Sequence, residues 1–167
     1  GDLDWNVTLV DTGLNTMTGG RIKRLREHLK SESFMLTYGD GVADVDIKQL
    51  VEHHRDSNNL VTLTAVRPTA RFGELELNDN IVTAFKEKSQ LNVGWINGGF
   101  FVCEPQILDY ITDDSVMLER EPLEMVVEKS RLGAFKHHGF WQCMDSKRDR
   151  DLLQSFCDEG NQVWLDI

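Results

Sequence analysis

The sequence is short of cysteine, of basic residues and of long apolar runs, and each shortage excludes something. Cys103, Cys143 and Cys157 are odd in number and follow no metal-ligand spacing, so neither a disulfide framework nor a structural zinc site is expected. Reduced thiols in a cytoplasmic protein are the simplest account. No apolar stretch approaches the roughly 18 residues of a membrane-spanning helix. Lysine and arginine number 18 against 28 aspartate and glutamate, a formal net charge of −10 that argues against non-specific nucleic-acid binding. An anionic substrate would need a local cluster of lysine, arginine or metal to offset that charge. There is no Walker G-x-x-x-x-G-K-[ST] motif, no repeat and no linker. The 167 residues suit a single domain, 1–167, with a real core.

What is present is organised around Phe34 to Val42. Phe34-Met-Leu-Thr-Tyr38 reads as a buried strand that stops at Gly39-Asp40-Gly41. A glycine on each side of a lone carboxylate permits a sharp turn and close approach of a ligand. In open α/β sheets, ligands sit beyond the carboxyl ends of strands, where Asp40 falls. Mg²⁺ is typically held by one or two carboxylates with substrate phosphates completing its shell. The same three residues also read as a plain turn from strand to helix.

Val7 to Asp11 is apolar and β-branched, a strand by its pattern. Thr12 to Gly20 is a hydroxyl- and glycine-rich loop that can hold an anion or simply link elements, and it leads into a helix near Arg21 to Leu29. Asp46 looks like the N-cap of a helix bearing Ile47, Leu50, Val51 and His54 on one face. Asp44-Val-Asp46 is a D-x-D, which some sugar transferases use for metal, although capping accounts for Asp46. Leu60 to Val66 is the next strand, Glu74–Leu77 and Ile81–Phe85 form a hairpin, and Phe100 to Cys103 is a further strand. Helices are expected from Pro105, from Pro122 and from about Ser146 to Cys157, with a short strand at Ala134 to His137. Asp145 is a second isolated carboxylate past that strand. His53-His54 and His137-His138 point to different faces and chelate poorly as pairs. Strand alternating with helix favours an α/β fold with a doubly wound, mostly parallel Rossmann-like sheet and one small antiparallel hairpin.

Seven motifs in order, Thr16-Met-Thr-Gly-Gly-Arg21, Tyr38-Gly-Asp-Gly-Val42, Arg71-Phe-Gly73, Phe85-Lys-Glu-Lys88, Trp95-Ile-Asn-Gly-Gly-Phe-Phe101, Glu119-Arg-Glu-Pro-Leu123 and Gly139-Phe-Trp-Gln-Cys-Met-Asp145, closely resemble the glucose-1-phosphate cytidylyltransferases. These are sugar-phosphate nucleotidyltransferases that make CDP-glucose, and the likeness runs from about Trp5 onward. The family opens with a strand, a Gly-x-Gly-Thr-Arg loop and a lysine that grip the nucleotide. None of these is in this sequence, which therefore resembles the C-terminal two-thirds of such an enzyme, a partial nucleotidyltransferase domain of the nucleotide-diphospho-sugar transferase type without its N-terminal strands. Ser89 and Cys143 stand where the family usually has proline, and Ser146 where it has threonine.

The resemblance implies in-line attack of glucose 1-phosphate on the α-phosphorus of CTP, with pyrophosphate leaving. It implies that Asp40 and Asp145 hold one Mg²⁺, that Thr16, Arg21 and Gly39 face the nucleotide, and that Arg21 serves catalysis. Gly73, Glu87, Lys88 and Asn97 would line the sugar phosphate. A role in O-antigen or lipopolysaccharide nucleotide-sugar biosynthesis, a homo-oligomeric state and no nucleic-acid or membrane partner complete the expectation. The alternatives are a D-x-D sugar transferase using Asp44 and Asp46 with a nucleotide-sugar donor, and a non-catalytic fragment.

Overall fold

The computed structural model describes residues 4–68, 74–86 and 94–165. They fall into two compact units, one made of Gly1–Phe34, Asn59–Val61 and Cys103–Leu132, the other of Met35–Asn58, Thr62–Val102 and Gly133–Ile167.

In the first unit the sequence pattern at Val7 to Asp11 does not become a strand. Val7 is 72% exposed and Leu9 is 92% exposed, so this is no buried central element. Strand propensity records a fit to a pleated, half-buried surface, and here no ladder partner among the described residues supplies one. Helix α1 spans Thr18–Arg24 and α2 spans Arg26–Leu29, so the helix begins three residues earlier than the glycines imply. Gly19 and Gly20 belong inside α1 because the helix lies against backbone. A Cβ on Gly20 would come 2.6 Å from Asp114 Cα, and one on Gly19 2.7 Å from the Val116 carbonyl oxygen. Thr18 locks this contact, with its Oγ1 donating to Glu119 Oε2 at 2.7 Å and accepting from Leu118 N at 3.0 Å. The helix expected at Pro105 is a 3₁₀ turn, Pro105–Tyr110, and α4 spans Glu121–Glu128 with Pro122 in its first turn. Ile107, Leu108, Leu118 and Val126 are buried in this unit.

The second unit carries most of a five-stranded sheet. Its strands are β1 (Phe34–Leu36), β3 (Val61–Val66), β6 (Ile96–Asn97), β7 (Phe101–Cys103) and β8 (Leu132–Lys136). The order is β1-β7-β3-β6, and β8 also pairs with β3. β6 runs antiparallel to β3, with Ala65 opposite Asn97. Two antiparallel ribbons are separate from this sheet: β2 (Gly41–Ala43) with β9 (Trp141–Cys143), and the expected hairpin of β4 (Glu74–Asn78) with β5 (Ile81–Lys86).

Helix α3, Ile47–Arg55, starts as its sequence says, because Asp46 caps it and accepts from Gln49 N at 3.0 Å. Its buried face includes Leu50, which packs with Ala43, Val45 and Val102. His54 is also buried, and its Nδ1 lies 2.8 Å from Thr62 Oγ1 on β3, so the ring is a satisfied core group. Helix α5 spans Lys147–Asp158. Phe156 of α5 meets Phe140 edge-on at 5.6 Å, and Trp164 stacks on Phe140 at 5.6 Å, which ties the helix to the start of β9. No helix among the described residues is long and apolar enough to cross a membrane.

Candidate active site

The ribbon of β2 and β9 does what no local pattern shows: it joins positions 40 and 145. Gly41 stands opposite Cys143, and Met144 N donates to the Asp40 carbonyl at 2.8 Å. Asp40 enters the ribbon at the end where Asp145 leaves it, so both carboxylates line one cavity of about 690 Å³ in the second unit. The sequence places each aspartate just past a strand at one sheet edge; in the structure they flank a separate two-stranded ladder. The glycines around Asp40 leave room. A Cβ on Gly39 would meet no atom within 4 Å, and one on Gly41 only Trp141 Nε1 at 3.9 Å. Gly39 also lines a second, more open hollow with Tyr38 and Asp40.

The opposite wall comes from Ile96, Asn97 and Gly98. Asn97 is oriented at both ends of its amide: Nδ2 donates to Tyr38 Oη at 3.0 Å, and Oδ1 accepts from Gly99 N at 3.0 Å. Gly98 is a packing requirement, since a Cβ there would lie 2.6 Å from Val66 Cγ1, and Gly99 takes a φ of +79° that favours glycine. Trp141 Nε1 donates to the Gly98 carbonyl at 2.8 Å and closes the wall onto β9.

The third wall is the start of α5. Ser146 is its N-cap and forms a capping box with Asp149. Asp149 Oδ2 accepts from Ser146 N at 3.1 Å and from Ser146 Oγ at 2.7 Å, and Gln142 Nε2 lies 3.3 Å from Oδ1. This buried carboxylate therefore holds the turn immediately after Asp145. The Cys143 thiol donates to Asp145 Oδ2 at 3.3 Å. Ser146 is where the sequence starts this helix, but Asp149, Gln142 and Arg148 escaped sequence reasoning as lining residues, although Ser-x-x-Asp at a helix start is a capping signal.

The other expected site residues divide. Thr16 and Arg21 belong to the first unit. Thr16 is buried, and the Arg21 guanidinium donates to Thr12 Oγ1 at 2.7 Å and to the Leu14 carbonyl at 3.2 Å, bracing the loop before α1. Gly73, Glu87 and Lys88 lie outside the described residues. Asp44 and Asp46 do not line the cavity. Asp46 is taken up by capping, and Asp44 Oδ1 sits 2.8 Å from His137 Nε2, an ion-pair contact without hydrogen-bond alignment.

Two carboxylates on one cavity suit Mg²⁺, a hard cation that takes one or two acidic side chains and completes its shell with substrate phosphates and water. Among the described residues no cluster of three or more His, Cys, Asp or Glu could hold a metal without such substrate oxygens.

A nucleotidyl transferase family model matches residues 9–167. Over 161 residues the chain is 47% identical to glucose-1-phosphate cytidylyltransferase of Salmonella typhimurium, covering 96% of this chain and 63% of that protein. It is 28% identical over 149 residues to mannose-1-phosphate guanyltransferase of Candida albicans, covering 84% of this chain and 40% of that one. The chain thus spans less than two thirds of the length of these relatives. The fold is that of HddC from Yersinia pseudotuberculosis (TM-score 0.60, 20% identity, 88% of this chain and 64% of that one). It is also that of the inositol-1-phosphate CTP transferase from T. maritima (TM-score 0.58, 15% identity, 87% of this chain and 64% of that one). A match across almost the whole chain, on an α/β scaffold that joins two distant aspartates at one cavity, identifies this chain as a member of the nucleotidyl transferase family.

Proposed function

We propose that this chain forms part of a cytidylyltransferase that makes CDP-glucose and pyrophosphate from CTP and glucose 1-phosphate. The observation that carries the reading is the meeting of Asp40 and Asp145 at one cavity, in a chain 47% identical to a glucose-1-phosphate cytidylyltransferase. The reaction needs no covalent intermediate on the protein, only alignment of a phosphate oxygen with the α-phosphorus and neutralisation of developing charge. Mg²⁺ bound by Asp40 and Asp145 would supply that neutralisation and polarise the phosphoryl oxygens. Asn97, fixed by Tyr38 and Gly99, presents its remaining amide hydrogen and lone pair to a sugar hydroxyl. The open space beside Gly39 lets a nucleotide approach the backbone. Arg21, which braces the Thr12–Leu14 loop within the first unit, keeps its expected nucleotide role as part of this proposal. Glu87 and Lys88 complete the sugar-phosphate side in this reading, with Gly73 allowing close backbone approach. Self-association is part of the reading, and sedimentation of the full-length protein checks it.

The test is pyrophosphate release by the full-length protein from CTP, glucose 1-phosphate and Mg²⁺. Release with CTP and not with other triphosphates supports the reading. Sugar transfer from a nucleotide sugar, with no pyrophosphate release, would replace it by the D-x-D alternative.

A further inference from the structure

The cavity has a charge problem that Mg²⁺ does not solve. Its described lining holds three carboxylates, Asp40, Asp145 and Asp149, against one cation, Arg148. A divalent ion offsets two of the carboxylates, and a phosphate dianion arriving beside it still requires positive charge of the protein's own. Arg148 is exposed, and among the described residues no carboxylate pairs with it. Three other arginines behave differently. Arg150 binds Asp151 at 2.7 Å, and in the first unit Arg24 and Arg26 bind Asp114 and Asp109. Arg148 lies between the two members of the capping box, so its backbone is held by the Ser146–Asp149 bonds while its guanidinium stays free. A planar guanidinium with paired donors suits phosphoryl oxygens better than any other side chain.

We propose that Arg148 is a phosphate-binding residue of this cavity, contacting a phosphoryl group that shares the cavity with Asp40 and Asp145. The inference rests on the nucleotidyl transfer reading for its substrates, but not on turnover for its test. The phosphoryl group belongs either to the sugar phosphate or to the nucleotide, and titrations separate the two. In the full-length protein, glucose 1-phosphate and CTP are titrated separately by calorimetry in Mg²⁺ into wild type, Arg148→Ala, Arg148→Lys and Arg150→Ala. Arg148→Ala should weaken one of the two ligands by about 10- to 100-fold, with Lys recovering part of the loss and Arg150→Ala unchanged. Loss confined to glucose 1-phosphate assigns the contact to the sugar phosphate; loss confined to CTP assigns it to the nucleotide. Steady-state kinetics should place the effect on KM for that same ligand. Unchanged affinity for both ligands in a folded Arg148→Ala protein overturns the proposal. So does an equal loss in Arg150→Ala, which would mark a general surface-charge effect. A protein that binds both ligands, one of them through Arg148, yet releases no pyrophosphate would leave the arginine in place and defeat the cytidylyltransferase reading instead.

Discussion

Replacing Asp149 with alanine removes one 7%-exposed carboxylate and, with it, three restraints at the start of α5. Ser146 N loses its acceptor at 3.1 Å, Ser146 Oγ loses its acceptor at 2.7 Å, and Gln142 Nε2 loses the oxygen 3.3 Å away. Hydrogen bonds to a charged acceptor contribute about 1.5–3 kcal/mol each in net terms. Ser146 is solvent-exposed, so water replaces part of what is lost, and the sum falls near the upper end for a broken N-cap, about 2 kcal/mol. For a domain of this size that corresponds to roughly 4–8 °C in Tm. Thermal unfolding followed by circular dichroism measures it. Ser146→Ala also removes the acceptor of the backbone N–H at position 149, 3.2 Å away, which Asp149→Ala leaves in place, so the double variant should cost more than either single one but less than their sum, because the Ser146 Oγ–Asp149 Oδ2 bond is lost in both. A functional readout accompanies the structural one. The turn held by Asp149 follows Asp145 directly, so Asp149→Ala should raise the Mg²⁺ concentration for half-maximal turnover, and Asp149→Asn, which keeps an oxygen acceptor, should raise it less. A Tm within 1 °C of wild type, or full additivity with Ser146→Ala, would refute the capping-box account.

Asp40→Asn and Asp145→Asn should each lower Mg²⁺-dependent turnover by about 10²–10³-fold with the fold intact, whereas Asp44→Asn and Asp46→Asn should leave turnover nearly unchanged. Loss in the second pair but not the first would restore the D-x-D alternative. Burial, aided by Glu104, pushes the Cys103 thiol up to about 12, so native labelling with a maleimide at pH 7–8 should modify the exposed Cys157 and spare Cys103. Mass spectrometry reads this, and Cys103 labelled without unfolding would contradict its placement. In the first unit the Arg24 guanidinium holds the Asp114 carboxyl below the usual carboxylate range, and Ser115 does the same for Asp113. A depressed folded pKa contributes stability above the unfolded value and loses it as pH falls through the folded one, so acid destabilisation should set in at the ordinary carboxylate range and be complete only below it. Asp114→Asn should flatten that acid limb in a pH series of melting curves, and an unchanged limb would remove Asp114 from the account.

The sequence alone was enough wherever the cause is local. Asp46 and Gln49 form a cap within one turn, Asn78-Asp-Asn80 closes a hairpin between adjacent strands, and the Ile47, Leu50 and His54 stripe fixes which side of α3 is buried. The motif order from Thr16 to Asp145 was likewise sufficient to select the family, since it depends on residues and spacing and on no contact. Tertiary structure decided whatever needs a distant partner. Val7 to Asp11 has the composition of a strand and no ladder, while Trp141 to Cys143 has little of the pattern and becomes a strand because β2, nearly a hundred residues earlier, pairs with it. That pairing alone makes Asp40 and Asp145 neighbours. Lys147 to Asp151 reads as a charged helix surface, and only the packing of α5 through Phe140, Phe156 and Trp164 reveals that Arg148 and Asp149 line the cavity. The physical reason is the same throughout: caps and turns are completed within a few residues of backbone, whereas strand pairing and the closing of a site depend on loop closures whose partners no local pattern names.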